Sequence, residues 1–243
     1  MLNLNFNIIE CQRRTIAPIL ANDFNYFLIG GGAGGSGGGV TIGGNGGQGG
    51  RFSTGSISVN HLSTFTITIG NGGDGGNAQG ASGTNGGQTL LDLDSSLVSF
   101  ASGGIANFNS GQDQNLISVG TNYDYYNSGL WAGDGTKGGD SPVGATGQGG
   151  GTDGLNTDGI PWLPNPTGTS ATGAQNTGGG GGGRKWGEFP GGNGAKGVAV
   201  LSFLDPRDVF TYSGDYSYFE YDGNRKYFYY LNNGTFTLFG KRG

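Results

Sequence analysis

Residues 30–51 read GGGAGGSGGGVTIGGNGGQGGR. Counted in threes, Ala33, Ser36, Gly39, Ile42, Asn45, Gln48 and Arg51 are separated almost entirely by glycine, with Val40 and Thr41 the interruption. A period of three is neither the 3.6 of an α-helix nor the 2.0 of a strand. It belongs to the extended left-handed helix with three residues per turn and no internal hydrogen bonds. Two of its three edges would be bare backbone, close enough to a neighbouring run to exchange N–H···O=C bonds. Buried backbone groups need that outlet. The stretch therefore reads as one rod in a bundle of polyglycine-II helices.

The chain has 243 residues, 58 of them glycine and only 7 proline, so the proline-rich Gly-X-Y of collagen is absent. Glycine surrenders more backbone entropy on folding than any other residue, which pushes such a composition towards disorder. Against that, the glycines keep their phase, β-type segments alternate with them, and 12% of residues are aromatic. The balance of 12 Lys+Arg against 17 Asp+Glu gives a net charge of −5 and no basic stripe, so nucleic acid is not an expected partner. Cys11 is the single cysteine and excludes an internal disulfide framework. No apolar run approaches a membrane span, so no membrane insertion is expected. The opening MLNLNFNIIECQRR carries its charges after its apolar residues, unlike a secretory signal.

Three regions follow. Residues 1–24, where Leu2, Leu4, Phe6 and Ile8 alternate, form an attachment arm or edge strand. Residues 25–204 form a glycine-rich domain. Within it FNYFLI (24–29) is a strand feeding the first glycine run, and 57–69 is two strands around Asn60-His61. Residues 89–101 and VAVLSFL (198–204) are further strands. Phe65, Ile67 and Ile69 share one face, with threonines on the other. NGGDGGN (71–77) starts a second run with polar tips towards water. Asp205-Pro206 marks a boundary. Residues 205–243 hold seven of the 11 tyrosines, with turn signals at Ser213-Gly214, Asp222-Gly223 and Asn233-Gly234, and read as a four-strand antiparallel β-meander. The fold class is all-β and irregular: a polyglycine bundle flanked by strands, then an aromatic meander, with almost no α-helix.

Familiar chemistry is tempting and fails on context. Gly30-x-Gly32-x-x-Gly35 follows a strand like a dinucleotide fingerprint, but SGGGVTIGGNGG after it cannot nucleate the helix whose N-terminus holds a pyrophosphate. His61 is the only histidine and has no nucleophile motif beside it. The calcium nonapeptide GGxGxDxUx is nowhere intact. The sequon Asn233-Gly234-Thr235 falls on a predicted turn. No cofactor, metal site or enzymatic activity is expected.

What remains is surface. Tyr123, Tyr125, Tyr126, Trp131, Trp162 and Trp186 lie in excursions between glycine runs, at residues 105–133, 152–172 and 184–190. Such rings either pack down on glycine backbone, supplying the apolar mass that glycine lacks, or stand at loop tips and stack on a sugar or a protein. In the tail, Tyr216 with Tyr218 and Tyr227 with Tyr229 alternate as cross-strand packing pairs.

A strand running into GGGAGGSGGG, an intervening hairpin, GNGGDGG and a final GGNGAKGVAVLSF together resemble the glycine-rich domain of phage and other viral fibre proteins. Among these are the tip adhesins on the long tail fibres of T-even-like phages. The resemblance covers about residues 25–204. It implies a sandwich of polyglycine helices whose intervening loops bind a host receptor, with the six aromatic residues above as candidate receptor-binding positions. The aromatic tail and the short N-terminal arm depart from that pattern. The expected function is a virion-surface attachment protein (tail-fibre tip, fibre or spike). Its partners would be a host-cell receptor, a glycan or an outer-membrane protein, and other virion subunits. The alternatives are a purely structural fibre or capsid-surface component, and an ice-binding protein. Against the ice-binding reading, the outward residues Ala33, Ser36, Ile42, Asn45, Gln48 and Arg51 are mixed, which suits a regular array poorly.

Overall fold

A computed structural model describes residues 22–37, 45–59, 62–77, 81–106, 117–118, 130–131, 190–205, 210–221 and 225–241. Among these residues the protein is all-β and has no helix. Its strands are β1 (Asn22–Ile29), β2 (Phe52–Val59), β3 (Ser63–Thr68), β4 (Thr89–Leu93), β5 (Ser96–Ala101), β6 (Ile117–Ser118), β7 (Leu130–Trp131), β8 (Val198–Leu204), β9 (Phe210–Gly214), β10 (Tyr218–Tyr221), β11 (Arg225–Tyr230) and β12 (Gly234–Lys241). Two five-stranded sheets have the orders β10-β11-β8-β1-β2 and β5-β4-β3-β12-β9, and β6 pairs with β7. Every pairing is antiparallel.

The two large sheets meet through aromatic rings. Phe24 of β1 lies 5.1 Å from Phe65 of β3 and 5.4 Å from Phe236 of β12, centroid to centroid. Phe228 of β11 lies 4.8 Å from Phe236. Leu28, Leu201, Ile67, Leu91 and Leu238 fill the space between, all essentially without solvent exposure. Strand β3 shows the expected alternation: Phe65, Ile67 and the following Ile69 are buried, while Thr66 faces water. Strand β8 is buried on both faces up to Phe203, which suits its nearly continuous apolar run.

The four tail strands fall between the expected turns, but they do not form a self-contained meander. Only β10 and β11 pair as sequence neighbours. Strand β11 then continues onto β8, whereas β12 lies between β3 and β9 in the other sheet. The reason is the apolar content of the tail. Phe228, Tyr230, Phe236 and Leu238 belong to the same buried cluster as Phe24 and Phe65, so the tail supplies strands to both halves of one core. Asp205, at the expected boundary, is fully buried against Lys226. The tyrosine pairing also differs in detail. Tyr218 is the register partner of Tyr229, and Tyr216 packs on Phe228 at 5.1 Å.

Residues 89–101, read as one strand, are the hairpin β4–β5. Its turn residues Asp94 and Ser95 have φ of 47° and 67°. Both central residues at positive φ match the turn that follows the natural twist of a hairpin, and aspartate tolerates that region better than most residues. Asp94 also clips the hairpin to β3: its Oδ1 accepts the Thr64 amide at 2.8 Å and its own amide donates to the Thr64 carbonyl.

Beyond the sheets, the glycine runs hydrogen-bond to one another with period three. In residues 30–37, the amides of Gly31, Gly34 and Gly37 donate to the carbonyls of Gly87, Thr84 and Ala81. Those of Gly32 and Gly35 donate to Ala195 and Gly192, and those of Gly30, Ala33 and Ser36 to Arg51, Gln48 and Asn45. Each step of three forward meets a step of three backward, so these three neighbours run antiparallel to the central run. Residues 70–77 run parallel to it, because Gly73 and Gly76 donate to Gly32 and Gly35. Gly104 adds a bond to the Gly31 carbonyl. Thr89 knits this bundle to the sheets. Its buried hydroxyl donates to the Ile29 carbonyl at 2.7 Å and accepts the Gly70 amide at 3.0 Å.

This central position corrects one expectation. Ala33 and Ser36 are buried rather than outward because run 30–37 is surrounded by other runs, and Gln48 is buried because its own run bonds to both Ala33 and Ile105. Of the other residues read as outward, Ile42 lies outside the described residues, Asn45 is half-buried and Arg51 is exposed. Run 70–77 is peripheral, and there Asn71, Asp74 and Asn77 do face water.

Two consequences can be measured. A Cβ added at Gly34 would land on the carbonyl of Asp74, which is backbone and cannot move aside. Gly34→Ala should therefore cost about 3 kcal/mol or more in denaturant unfolding. Burial, reinforced by Tyr216 and Asp215, pushes the Tyr230 phenol above its ordinary 10.0, and its hydroxyl donates to the Thr235 carbonyl. Above pH 10 the unfolded chain sheds this proton while the folded chain keeps it, so stability falls as pH rises. Tyr230→Phe should make unfolding midpoints between pH 10 and 12 fall less steeply than in the parent chain.

Candidate functional site

Of the six candidate receptor-binding residues, Tyr123, Tyr125, Tyr126, Trp162 and Trp186 lie outside the described residues. Trp131 belongs to β7, where its backbone is the register partner of Ile117 in β6. His61, Cys11 and the centres of the excursions likewise lie outside. What the structure places is the base from which the excursions rise. Residues 102–106 lead out of the bundle and 190–197 lead back in. Ala106 donates its amide to Asn85 Oδ1 at 2.8 Å, and Gly191 donates to the Gly76 carbonyl at 2.9 Å. The 107–189 segment is thus tethered at both ends to one hydrogen-bonded block.

The exposed edge of that block is polar. Asn71, Asp74 and Asn77 recur every three residues, flanked by Thr84 and Asn193. Two of these side chains also cap neighbouring backbone: Thr84 Oγ1 accepts the Asp74 amide at 2.7 Å, and Asn193 Oδ1 accepts the Gly75 amide at 2.7 Å. The amides a pyrophosphate would need, from Gly31 to Gly35, are all committed to backbone carbonyls. The sequon residue Asn233 also has a structural task, its Oδ1 accepting the Ile69 amide at 2.8 Å. Among the described residues, no three His, Cys, Asp or Glu side chains gather as metal ligands would, and no helix is long and apolar enough to cross a membrane.

One surface escaped the sequence reading. The edge strands β2 and β5 close on each other through Ser53 Oγ and Ser99 Oγ, 2.8 Å apart, and the Arg51 amide donates to the Ser102 carbonyl. Beside this seam Phe52 and Phe100 stand 53% and 47% exposed, with Leu97 and Ile105 similarly open. Period-two alternation was the available signal. Ser53 and Ser99 point inward, which puts Phe52 and Phe100 outward.

The described residues define a class: an antiparallel β-sandwich continued by a block of glycine runs cross-bonded at every third residue. A profile of a glycine-rich domain matches residues 12–204. That is most of the 243-residue chain, and the chain belongs to this glycine-rich domain family. The match includes part of the N-terminal arm, which the sequence reading had set apart. A comparison with curated proteins gives no match.

Proposed function

We propose that this protein is a virion-surface attachment protein, a fibre, fibre tip or spike, that binds a host-cell receptor through aromatic excursions on a rigid base. The observation that carries the reading is the tethering of the excursions. The segment holding Tyr123, Tyr125, Tyr126, Trp131, Trp162 and Trp186 leaves and re-enters a block whose backbone groups bond to one another. Recognition loops gain affinity when their ends are fixed, because less conformational freedom is lost on binding. In this reading the glycine runs are polyglycine helices and act as support. The receptor is a glycan or an outer-membrane protein, and chemistry on a substrate plays no part.

A second reading, a structural component making subunit contacts, draws on the exposed row Phe52, Leu97, Phe100 and Ile105. Apolar residues grouped in this way suit a protein partner.

The test uses the full chain, because removing residues 205–243 would take β11 and β12 out of both sheets. Fluorescently labelled protein is offered to a panel of host cells beside a Trp131→Ala, Trp162→Ala, Trp186→Ala variant. Attachment predicts selective binding that drops at least tenfold in a variant with an unchanged unfolding midpoint. Self-assembly or capture by a virion subunit, with no binding to any cell, would replace this reading by the structural one.

A further inference from the structure

The side chains of Lys226 and Asp205 are 3% and 0% exposed, and Nζ lies 3.0 Å from Oδ2. Lys226 sits in β11 opposite Phe203 of β8, and Asp205 directly follows β8. The Tyr212 ring centroid is 4.8 Å from Nζ, and the Phe210 amide donates to Asp205 Oδ2 at 3.3 Å. Two opposite charges are therefore held in contact inside an aromatic core. Removing both from water is costly, and the attraction between them only partly offsets it. A neutral pair is cheaper to bury than two ions.

We propose that Lys226 and Asp205 condense into an intramolecular amide bond. A proton passes from the Nζ ammonium to Oδ2, leaving a neutral amine beside a neutral carboxylic acid. The amine lone pair attacks Cγ, the new N–C bond forms and one C–O bond breaks. The oxygen departs as water, carrying the transferred proton and a second one from nitrogen. Nothing is oxidised or reduced, and no co-reactant is consumed. The Phe210 N–H holds Oδ2, the departing oxygen, in place, and the fixed geometry supplies the proximity that such a slow condensation needs.

The bond would join β8 of the glycine-rich segment to β11 of the tail, closing the intervening chain, with β9 and β10, into a covalent loop. A surface-displayed protein would gain a sandwich that cannot separate into its two sequence halves. This gain is independent of the attachment reading, since any protein exposed to shear or protease would benefit.

The test is the intact mass of the purified full chain under denaturing conditions, followed by trypsin digestion and peptide sequencing by mass spectrometry. The expected mass is lower by one water. The digest should yield peptide 197–207 linked to peptide 226–241, with no cleavage after Lys226. Lys226→Met and Asp205→Ala should each restore the full mass whether or not they fold. A full-mass parent chain, or a lost water without the linked peptide, overturns the proposal and leaves a buried ion pair.

Discussion

A glycine run that makes no hydrogen bonds within itself must have every amide and carbonyl it buries satisfied by another segment. The structure depends on this constraint. Residues 30–37 meet it by donating in rotation to three neighbouring runs and accepting from two more. Each of those bonds requires close approach of two backbones, which is why side chains are excluded where the runs touch. Asp74, Asn71 and Asn77 project to water on the same run whose glycines pack inward. The bundle is therefore an all-or-none assembly of distant segments, because no single run stands without its partners.

Such an assembly buries little apolar surface, and the sandwich compensates. Phe24 and Phe203 come from the glycine-rich region, and Phe228 and Phe236 from the tail, and all four interlock. Thr89 joins the two parts by serving both the Ile29 carbonyl and the Gly70 amide. Strands β1, β3 and β8 thus each fix one end of the runs they adjoin, 30–37, 70–77 and 190–197. Residues 102–106 and 190–197 in turn set the exit and return points of the excursions.

Much of this was legible in the residues. The alternation in STFTIT and the apolar run VAVLSFL each named their strand, because each pattern reports a local geometry, and the three-residue glycine phase recurs in the spacing of the bonds between runs. Other features are not local. Nothing in RKYFYY and GTFTLFGK says that β11 and β12 enter different sheets, since either pairing buries the same rings. Asp94-Ser95 hid a hairpin because its turn lacks the expected glycine. The burial of Ala33, Ser36 and Gln48 is not legible locally, because which edge of a run faces a neighbour depends on how many runs surround it. Lys226 left one usable signal. It shares a strand face with Phe228 and Tyr230, which places it inside and implies a carboxylate partner. The receptor-binding candidates could be named from composition alone, but their geometry depends on the excursions themselves.

The most direct test of the account is amide hydrogen exchange followed residue by residue across 30–37. If the glycine runs are cross-bonded as described, Gly32, Gly34 and Gly35 exchange as slowly as Phe27 and Leu28 in β1. Exchange of those glycines at the rate of an unstructured peptide, with β1 still protected, would contradict it: the sandwich would stand and the bundle would not exist.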